Sequence, residues 1–185
     1  MEKRPFRLGI LVGRFQTMHL GHMEMIRMAE SLCDEVGIFL GSSQEARTLK
    51  NPFTSEERTE IIKTVFPSDR VLVYPLPDIF IGNTSRWGEY VLENVKKYFG
   101  TLPDLLVSGK EARRVSWFDG MQGVSIAELY VPKSIDISAS EMREFFLHDD
   151  RASWEKYTDP RLYPMYDQFR SIVLSCKDRT ETDSI

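Results

Sequence analysis

Short apolar runs alternate with longer segments of helical periodicity along most of this chain. Leu8–Val12 is an unbroken apolar run of strand length. From Leu20 to Cys33 the apolar residues Leu20, Met23, Ile26, Met28, Ala29 and Leu32 fall near helical spacing. Glu35–Gly41 reads as a second buried strand that stops at glycine. Thr54 and Glu57 have the spacing of a capping box, ahead of Ile61, Ile62, Val65 and Phe66. Arg70–Tyr74 is a third strand, closed by Pro75 and Pro77. Thr84–Phe99 is a third helix with Trp87, Val91, Val95 and Tyr98 or Phe99 turned inward and Gly100 as its stop. Asp104–Val107, ending at Ser108-Gly109, and Ser125–Val131 supply the fourth and fifth strands. Ser138 and Glu141 repeat the capping-box spacing before Met142, Phe145, Phe146 and Leu147. Helical stretches at Ser153–Tyr157 and Pro160–Leu174 follow, and the polar residues after them read as frayed.

Strands alternating with helices require right-handed crossovers, which predict an α/β, doubly wound parallel sheet covered on both faces. In such sheets ligands bind beyond the carboxyl ends of the strands, where the strand order reverses. Gly13–His22, Gly41–Arg47, Asp78–Trp87 and Ser108–Lys110 all follow strand ends, so the chemically unusual residues share one rim. Neither an internal repeat nor a linker interrupts the pattern. One domain over residues 1–174, including the C-terminal helices, is expected, with 175–185 as a flexible tail.

The 185 residues are 42% hydrophobic, 28% charged and 11% aromatic, a soluble globular balance with enough interior for one core. The formal net charge of -4 speaks against a nucleic-acid-coating surface, which is usually basic, but leaves room for a local basic pocket. Cys33 and Cys176 form no CxxC pair and read as reduced thiols of an intracellular protein. No apolar run approaches the ~18 residues of a membrane span. Gly13, Arg14 and Gln16 interrupt the stretch that could otherwise serve as a signal-peptide core. The expected setting is cytoplasmic, with neither membrane nor nucleic acid as partner.

The segment Gly13-Arg14-Phe15-Gln16-Thr17-Met18-His19-Leu20-Gly21-His22 joins the first strand to the first helix. A strand that breaks at glycine and restarts as a helix turns unpaired N–H groups outward, a natural anion site. His19 and His22 could donate hydrogen bonds to phosphate oxygens there. They could also be surface histidines or two metal ligands. The metal reading lacks a Cys, His, Asp or Glu complement at fitting spacing, His148 being far along the chain, so no metal ligand is assigned. Gly21 between them favours close approach of a ligand to backbone. Ile137-Ser138-Ala139-Ser140-Glu141-Met142-Arg143 opens another predicted helix, whose two hydroxyls and N-terminus suit phosphate, with Arg143 one turn in and able to reach the same anion. The plainer alternative is an ordinary capping box with a solvated arginine.

Together, Gly13-Arg14-Phe15-Gln16-x-x-His19-x-Gly21-His22 and Ile137-Ser138-x-Ser140-x-x-Arg143 resemble the HxGH nucleotidylyltransferase superfamily. Within it they are similar to the nicotinamide-mononucleotide adenylyltransferases of archaeal and bifunctional-bacterial type. Gly41-Ser42-Ser43-Gln44 through Lys50-Asn51-Pro52-Phe53-Thr54-Ser55-Glu56-Glu57-Arg58 resembles that branch's second-strand loop and following helix. Pro77-Asp78-Ile79 leading to Trp87 resembles its nicotinamide-side loop, and Ser108-Gly109 its adenine-side turn. The likeness covers roughly residues 7–146. Thr17 stands where the family usually has proline, leaving the turn less rigid, and Ser140 where it usually has threonine, keeping the hydroxyl. No hydrolase domain follows, so a single activity is expected. The expected architecture is a Rossmann-like five-stranded parallel sheet in the order 3-2-1-4-5 with C-terminal helices.

The resemblance implies that the phosphate of nicotinamide mononucleotide attacks the α-phosphorus of ATP, giving NAD and pyrophosphate without a covalent intermediate. A phosphate monoester is already a nucleophile near neutrality, so the task is alignment and neutralisation of charge. His19 and His22 would contact the ATP phosphates, His22 stabilising the α-phosphoryl transition state. Gly13, Arg14, Phe15, Gly21, Ile137, Ser138, Ser140 and Arg143 would frame the triphosphate, and Ser108, Gly109 and Lys110 the adenine pocket. Mg²⁺ would be bound through substrate phosphates and water. Trp87 could stack on the nicotinamide ring or pack in the core. Arg47 and Lys50 could reach a phosphate or remain solvated; Asp78 could serve the nicotinamide side or end the strand. The aromatic C-terminal residues Trp154, Tyr157, Tyr163, Tyr166 and Phe169 are expected to pack a closing helix. Rival readings are transfer to another phosphorylated acceptor such as phosphopantetheine, and a nucleotide-sensing module without turnover. Related enzymes often assemble, so a homo-oligomer is a further expectation.

Overall fold

The computed structural model describes residues 3–79, 84–109 and 117–182. In chain order the elements are β1 (Phe6–Gly13), α1 (Leu20–Leu32), β2 (Cys33–Gly41), α2 (Ser55–Val65), β3 (Val71–Leu76), α3 (Thr84–Phe99), β4 (Leu105–Ser108), β5 (Ala127–Tyr130), α4 (Ala139–Leu147), α5 (Arg151–Lys156), a 3₁₀ turn (Pro160–Met165) and α6 (Tyr166–Thr182). The chain divides into two compact units. The first comprises Met1–Gly13, Glu24–Gly41 and Asp69–Lys133; the second comprises Arg14–Met23, Ser42–Ser68 and Ser134–Ile185.

The first unit carries the whole sheet. Its order is β3-β2-β1-β4-β5, and every pairing is parallel, as the alternation of strands and helices predicts. The order reverses between β1 and β4. The register sets Gly13 opposite Leu40, Gly41 opposite Leu76 and Ser108 opposite Tyr130, so the carboxyl ends align along one edge. Side chains alternate across a strand. Leu8 and Ile10 of β1, Phe39, Leu76 and Leu106 accordingly share one face, packed with Val91 and Val95 of α3. Burying each such aliphatic side chain contributes about 1.5–3 kcal/mol, which holds α3 against that face. The edge strand β5 is shorter than Ser125–Val131, and its residues are partly exposed because only β4 pairs with it.

Gly88 sits inside α3, where glycine costs about 1 kcal/mol relative to alanine. A Cβ there would lie 1.8 Å from the Trp117 carbonyl oxygen, so only glycine lets that backbone rest on the helix.

The second unit is helical. α2 starts as its sequence predicts, with Thr54 accepting from the Glu57 N–H and the Glu57 carboxylate accepting from the Thr54 N–H. α4 is capped by Ser138. The aromatic C-terminal segment forms a core: Trp154, Tyr166, Phe146 and Phe169 are buried, with ring centroids 5.2–6.3 Å apart. Two boundaries differ from the apolar spacing. Pro164 interrupts the helix expected over Pro160–Leu174, turning its first six residues into 3₁₀ geometry. α6 then covers Tyr166–Thr182, past the expected end at Leu174, and buried Val173 and Cys176 carry its apolar face one turn further.

Candidate active site

Arg14, Phe15, Gly21, His19, His22, Arg47, Ile137, Ser138, Ser140 and Arg143 all belong to the second unit. Gly13, Asp78, Trp87, Ser108 and Gly109 belong to the first. Lys110 lies outside the described residues.

The segment after β1 is buried despite being a loop. Phe15, Gln16, Thr17, Met18 and His19 are each less than a tenth exposed. A buried loop must find partners for its polar groups, and here they come from a distance. The Gln16 side-chain amide donates to the Phe53 carbonyl at 2.8 Å and accepts from the Phe53 N–H at 2.9 Å. The Leu20 N–H donates to the Tyr157 carbonyl at 2.9 Å. Phe15 turns through left-handed backbone at φ 51°, a conformation that costs a non-glycine residue about 1–3 kcal/mol and clusters at functional sites.

His19 caps α1: its carbonyl accepts from the N–H groups of His22 at 2.9 Å and Met23 at 3.1 Å. The two imidazoles stack with centroids 3.8 Å apart, and the Phe15 ring lies 4.8 Å from that of His22. The His19 N–H donates to Nδ1 of His22 at 3.4 Å. An Nδ1 that accepts leaves the proton of a neutral imidazole to Nε2. A Cβ on Gly21 would sit 3.2 Å from the His19 ring, so glycine there allows the imidazole to fold over the helix start.

Arg143 joins the second motif to the first. Its guanidinium donates to the Gln16 carbonyl, to Ala139 O at 3.0 Å and to Ser140 Oγ at 3.0 Å. Burial lowers its pKa from the ordinary arginine value, and the like charge of Arg14 lowers it further. Two neighbouring guanidinium groups repel; an anion that contacts both removes the repulsion. Arg14 is exposed, and its Nη1 donates to Asn51 Oδ1 at 3.4 Å. The buried Asn51 side chain in turn donates to the Glu45 carboxylate.

Ser138 behaves as a helix cap. Its hydroxyl accepts from the Glu141 N–H at 3.2 Å and donates to the Glu141 carboxylate at 2.6 Å. Arg47 is also engaged: its two terminal nitrogens meet the Glu57 carboxylate at 2.7 and 2.6 Å, and Nη1 also reaches the Pro52 carbonyl at 2.9 Å. This fork holds the Glu57 carboxyl below the usual carboxylate range. Lys50 is exposed.

In the first unit, half-buried Trp87 packs edge-to-face with Trp117 at 6.2 Å and beside Tyr90 at 5.6 Å. Asp78 is half-buried, and its charge helps to raise the Tyr90 pKa, a smaller effect than the burial of that phenol. Ser108 ends β4, and a Cβ on Gly109 would lie 3.1 Å from Met25 Sδ.

Three residues stand inside the motif stretches without having been given a role there. Gln16 acts through both ends of its amide, Asn51 ties Arg14 to Glu45, and Arg58 is fully buried with its guanidinium on loop carbonyls. Arg58 did leave a signal. It stands three, four and seven residues before Ile61, Ile62 and Val65, which places a cation on the apolar face of α2. Among the described residues no group of three His, Cys, Asp or Glu side chains is placed to hold a metal ion, and no helix is long and apolar enough to cross a membrane.

Residues 10–145 match the cytidylyltransferase-like family. The chain belongs to that family and groups within it with the nicotinamide-nucleotide adenylyltransferases. The Thermococcus sibiricus protein of that name is 31% identical over 153 residues, which cover 80% of this chain and 76% of the relative. The Saccharolobus solfataricus protein of the same name is 39% identical over 95 residues, 49% of this chain and 54% of the relative. The chain thus spans about half the length of several curated relatives it matches. A bifunctional NMN adenylyltransferase/ADP ribose pyrophosphatase from Francisella tularensis, crystallised with AMP and a manganese ion, shares the fold with a TM-score of 0.78. That likeness covers 96% of this chain and 53% of the other at 23% identity.

Proposed function

We propose that this protein transfers the adenylyl group of ATP to nicotinamide mononucleotide, releasing NAD and pyrophosphate. One observation carries the reading: the Arg143 guanidinium lies on the Gln16 carbonyl and the Ser140 hydroxyl, with the charge of Arg14 close by. The two motifs therefore meet as one cationic group, beside a helix start that carries two histidines.

The reaction needs little covalent help from the protein. The acceptor's phosphate is already an anionic nucleophile, so the site must align it with the α-phosphorus and stabilise charge as pyrophosphate departs. In this reading His22 donates from Nε2 to the α-phosphoryl oxygens, where a preorganised donor has most effect in the transition state. His19, stacked on it, holds that ring and reaches the same phosphates. Arg143 and Arg14 neutralise the triphosphate. Ser138 and Ser140 act by shaping the helix start and orienting Arg143, and Arg47 acts by pinning its loop to Glu57. Imidazole and guanidinium donors suit anionic oxygens, so Mg²⁺ is assigned to the phosphates of its substrate rather than to a protein cage. Trp87 is assigned to the nicotinamide ring, Asp78 to the same side, and Ser108 and Gly109 to the adenine. The setting this implies is cytoplasmic.

Purified protein incubated with Mg-ATP and a panel of acceptors tests the proposal. The panel is nicotinamide mononucleotide, nicotinic acid mononucleotide, phosphopantetheine and flavin mononucleotide, with pyrophosphate and NAD both measured. NAD formed in step with pyrophosphate is the expected result. Pyrophosphate release only with another acceptor would move the assignment within the family. ATP binding without release for any acceptor would make the protein a sensor.

A further inference from the structure

Arg58 is 0% exposed, and adenylyl transfer as described gives it no task. Its Nε donates to the carbonyl of Thr54, the N-cap of α2 four residues back, at 3.2 Å. Nη1 donates to the Arg14 carbonyl at 2.8 Å, and Nη2 to the Ser42 carbonyl at 3.3 Å. The first bond fixes the plane of the guanidinium on its own helix. The other two reach the loops that follow β1 and β2.

Both loops turn through left-handed backbone where they are gripped. Phe15, which follows the Arg14 carbonyl, has φ 51°, and Ser42 has φ 48°. Neither is glycine, so sterics disfavour both conformations, and they persist only where the surroundings over-determine them. Carbonyls turned into an interior also need donors. A guanidinium answers both needs, because its donors are fixed in one plane and can hold two chains at a set separation. An ammonium, with its donors on one atom, cannot span them.

We infer that Arg58 is a positioning residue: its buried guanidinium fixes the main chain at Arg14–Phe15 and at Ser42, and through the first of these sets Arg14, His19 and His22 in the geometry that engages the triphosphate. The inference rests on the adenylyl-transfer reading for its catalytic part. Its structural part stands on the two loop carbonyls alone.

Arg58→Lys in the full chain keeps the charge and removes the planar fork. Its folding is followed by thermal melting, its loops by hydrogen exchange with mass spectrometry, its ATP affinity by calorimetry and its turnover by pyrophosphate release. The variant stays folded, while exchange over residues 14–18 and 42–45 accelerates about tenfold or more and kcat per folded molecule falls by a similar factor, the scale expected when reacting groups lose alignment. A role in packing alone would lower the melting temperature and leave turnover per folded molecule unchanged. The same readings on Arg58→Gln, a planar but neutral donor, replace it if the lysine variant does not fold. Loop exchange and kcat both within about twofold of the parent would overturn the inference. If the parent releases no pyrophosphate with any acceptor, the transfer reading fails, and loop exchange together with ATP affinity still decides the role of Arg58.

Discussion

The starts of α1 and α4 are both helix N-termini in the second unit, and they solve the same problem differently. At α4 the solution is local. Ser138 and Glu141 satisfy each other's polar groups within four residues. At α1 it is distant: Gln16 clamps Phe53, Leu20 donates to Tyr157, and Arg143 reaches Gln16 across 127 positions of sequence. A locally capped start satisfies its own polar groups and lets Arg143 reach beyond it to Gln16. A start tied to distant residues holds its groups in a preset arrangement, the condition that transition-state stabilisation requires. In the proposed reaction the chemistry is assigned to α1, with α4 as the carrier of Arg143.

Substitutions at each start separate these roles. His22→Ala removes the donor at α1 and should lower kcat by at least ~100-fold, measured as pyrophosphate release at saturating substrates. Turnover near that of the parent would take His22 out of the mechanism. Arg143→Lys keeps a cation but loses the fork shared between Gln16 and Ser140, and kcat/KM for ATP should fall roughly 10- to 100-fold. A fall below about twofold would reduce Arg143 to a point charge.

How far these roles could be read in the sequence follows the same division. The five strands, the Thr54 and Ser138 caps and the aromatic C-terminal core were legible, because each rests on periodicity or on residues a few positions apart, whereas the strand order was an expectation carried by the family resemblance. The capping alternative at Ser138 was legible too. The set of bonds that ties the start of α1 to distant residues was not, since nothing local to Gln16 points to Phe53, and nothing local to Arg143 points to Gln16. Arg47 shows the limit in another way: its spacing does not disclose that Glu57, already committed to a cap, also takes a bidentate ion pair. Arg58 was readable in principle, as a cation where α2 should be apolar.

Smaller effects sharpen the contrast. Trp87→Ala should raise KM for nicotinamide mononucleotide roughly fivefold, the scale of a lost aromatic stack, with KM for ATP unchanged. Equal damage to both substrates would assign Trp87 to its packing on Trp117 and Tyr90. Ser138→Ala should cost about 1 kcal/mol of stability as a lost cap. It should also leave ATP affinity within about threefold of the parent, as calorimetry would show; a larger loss of affinity would make its hydroxyl a phosphate ligand.

The central claim is that the His19–His22 turn and Arg143 act on one triphosphate. A double-mutant cycle on kcat/KM for ATP with His22→Ala, Arg143→Lys and the combined variant tests it directly. Groups that engage the same ligand couple, so the combined loss should fall short of the product of the single losses by more than about twofold. A combined loss equal to that product would show two independent sites and contradict the account.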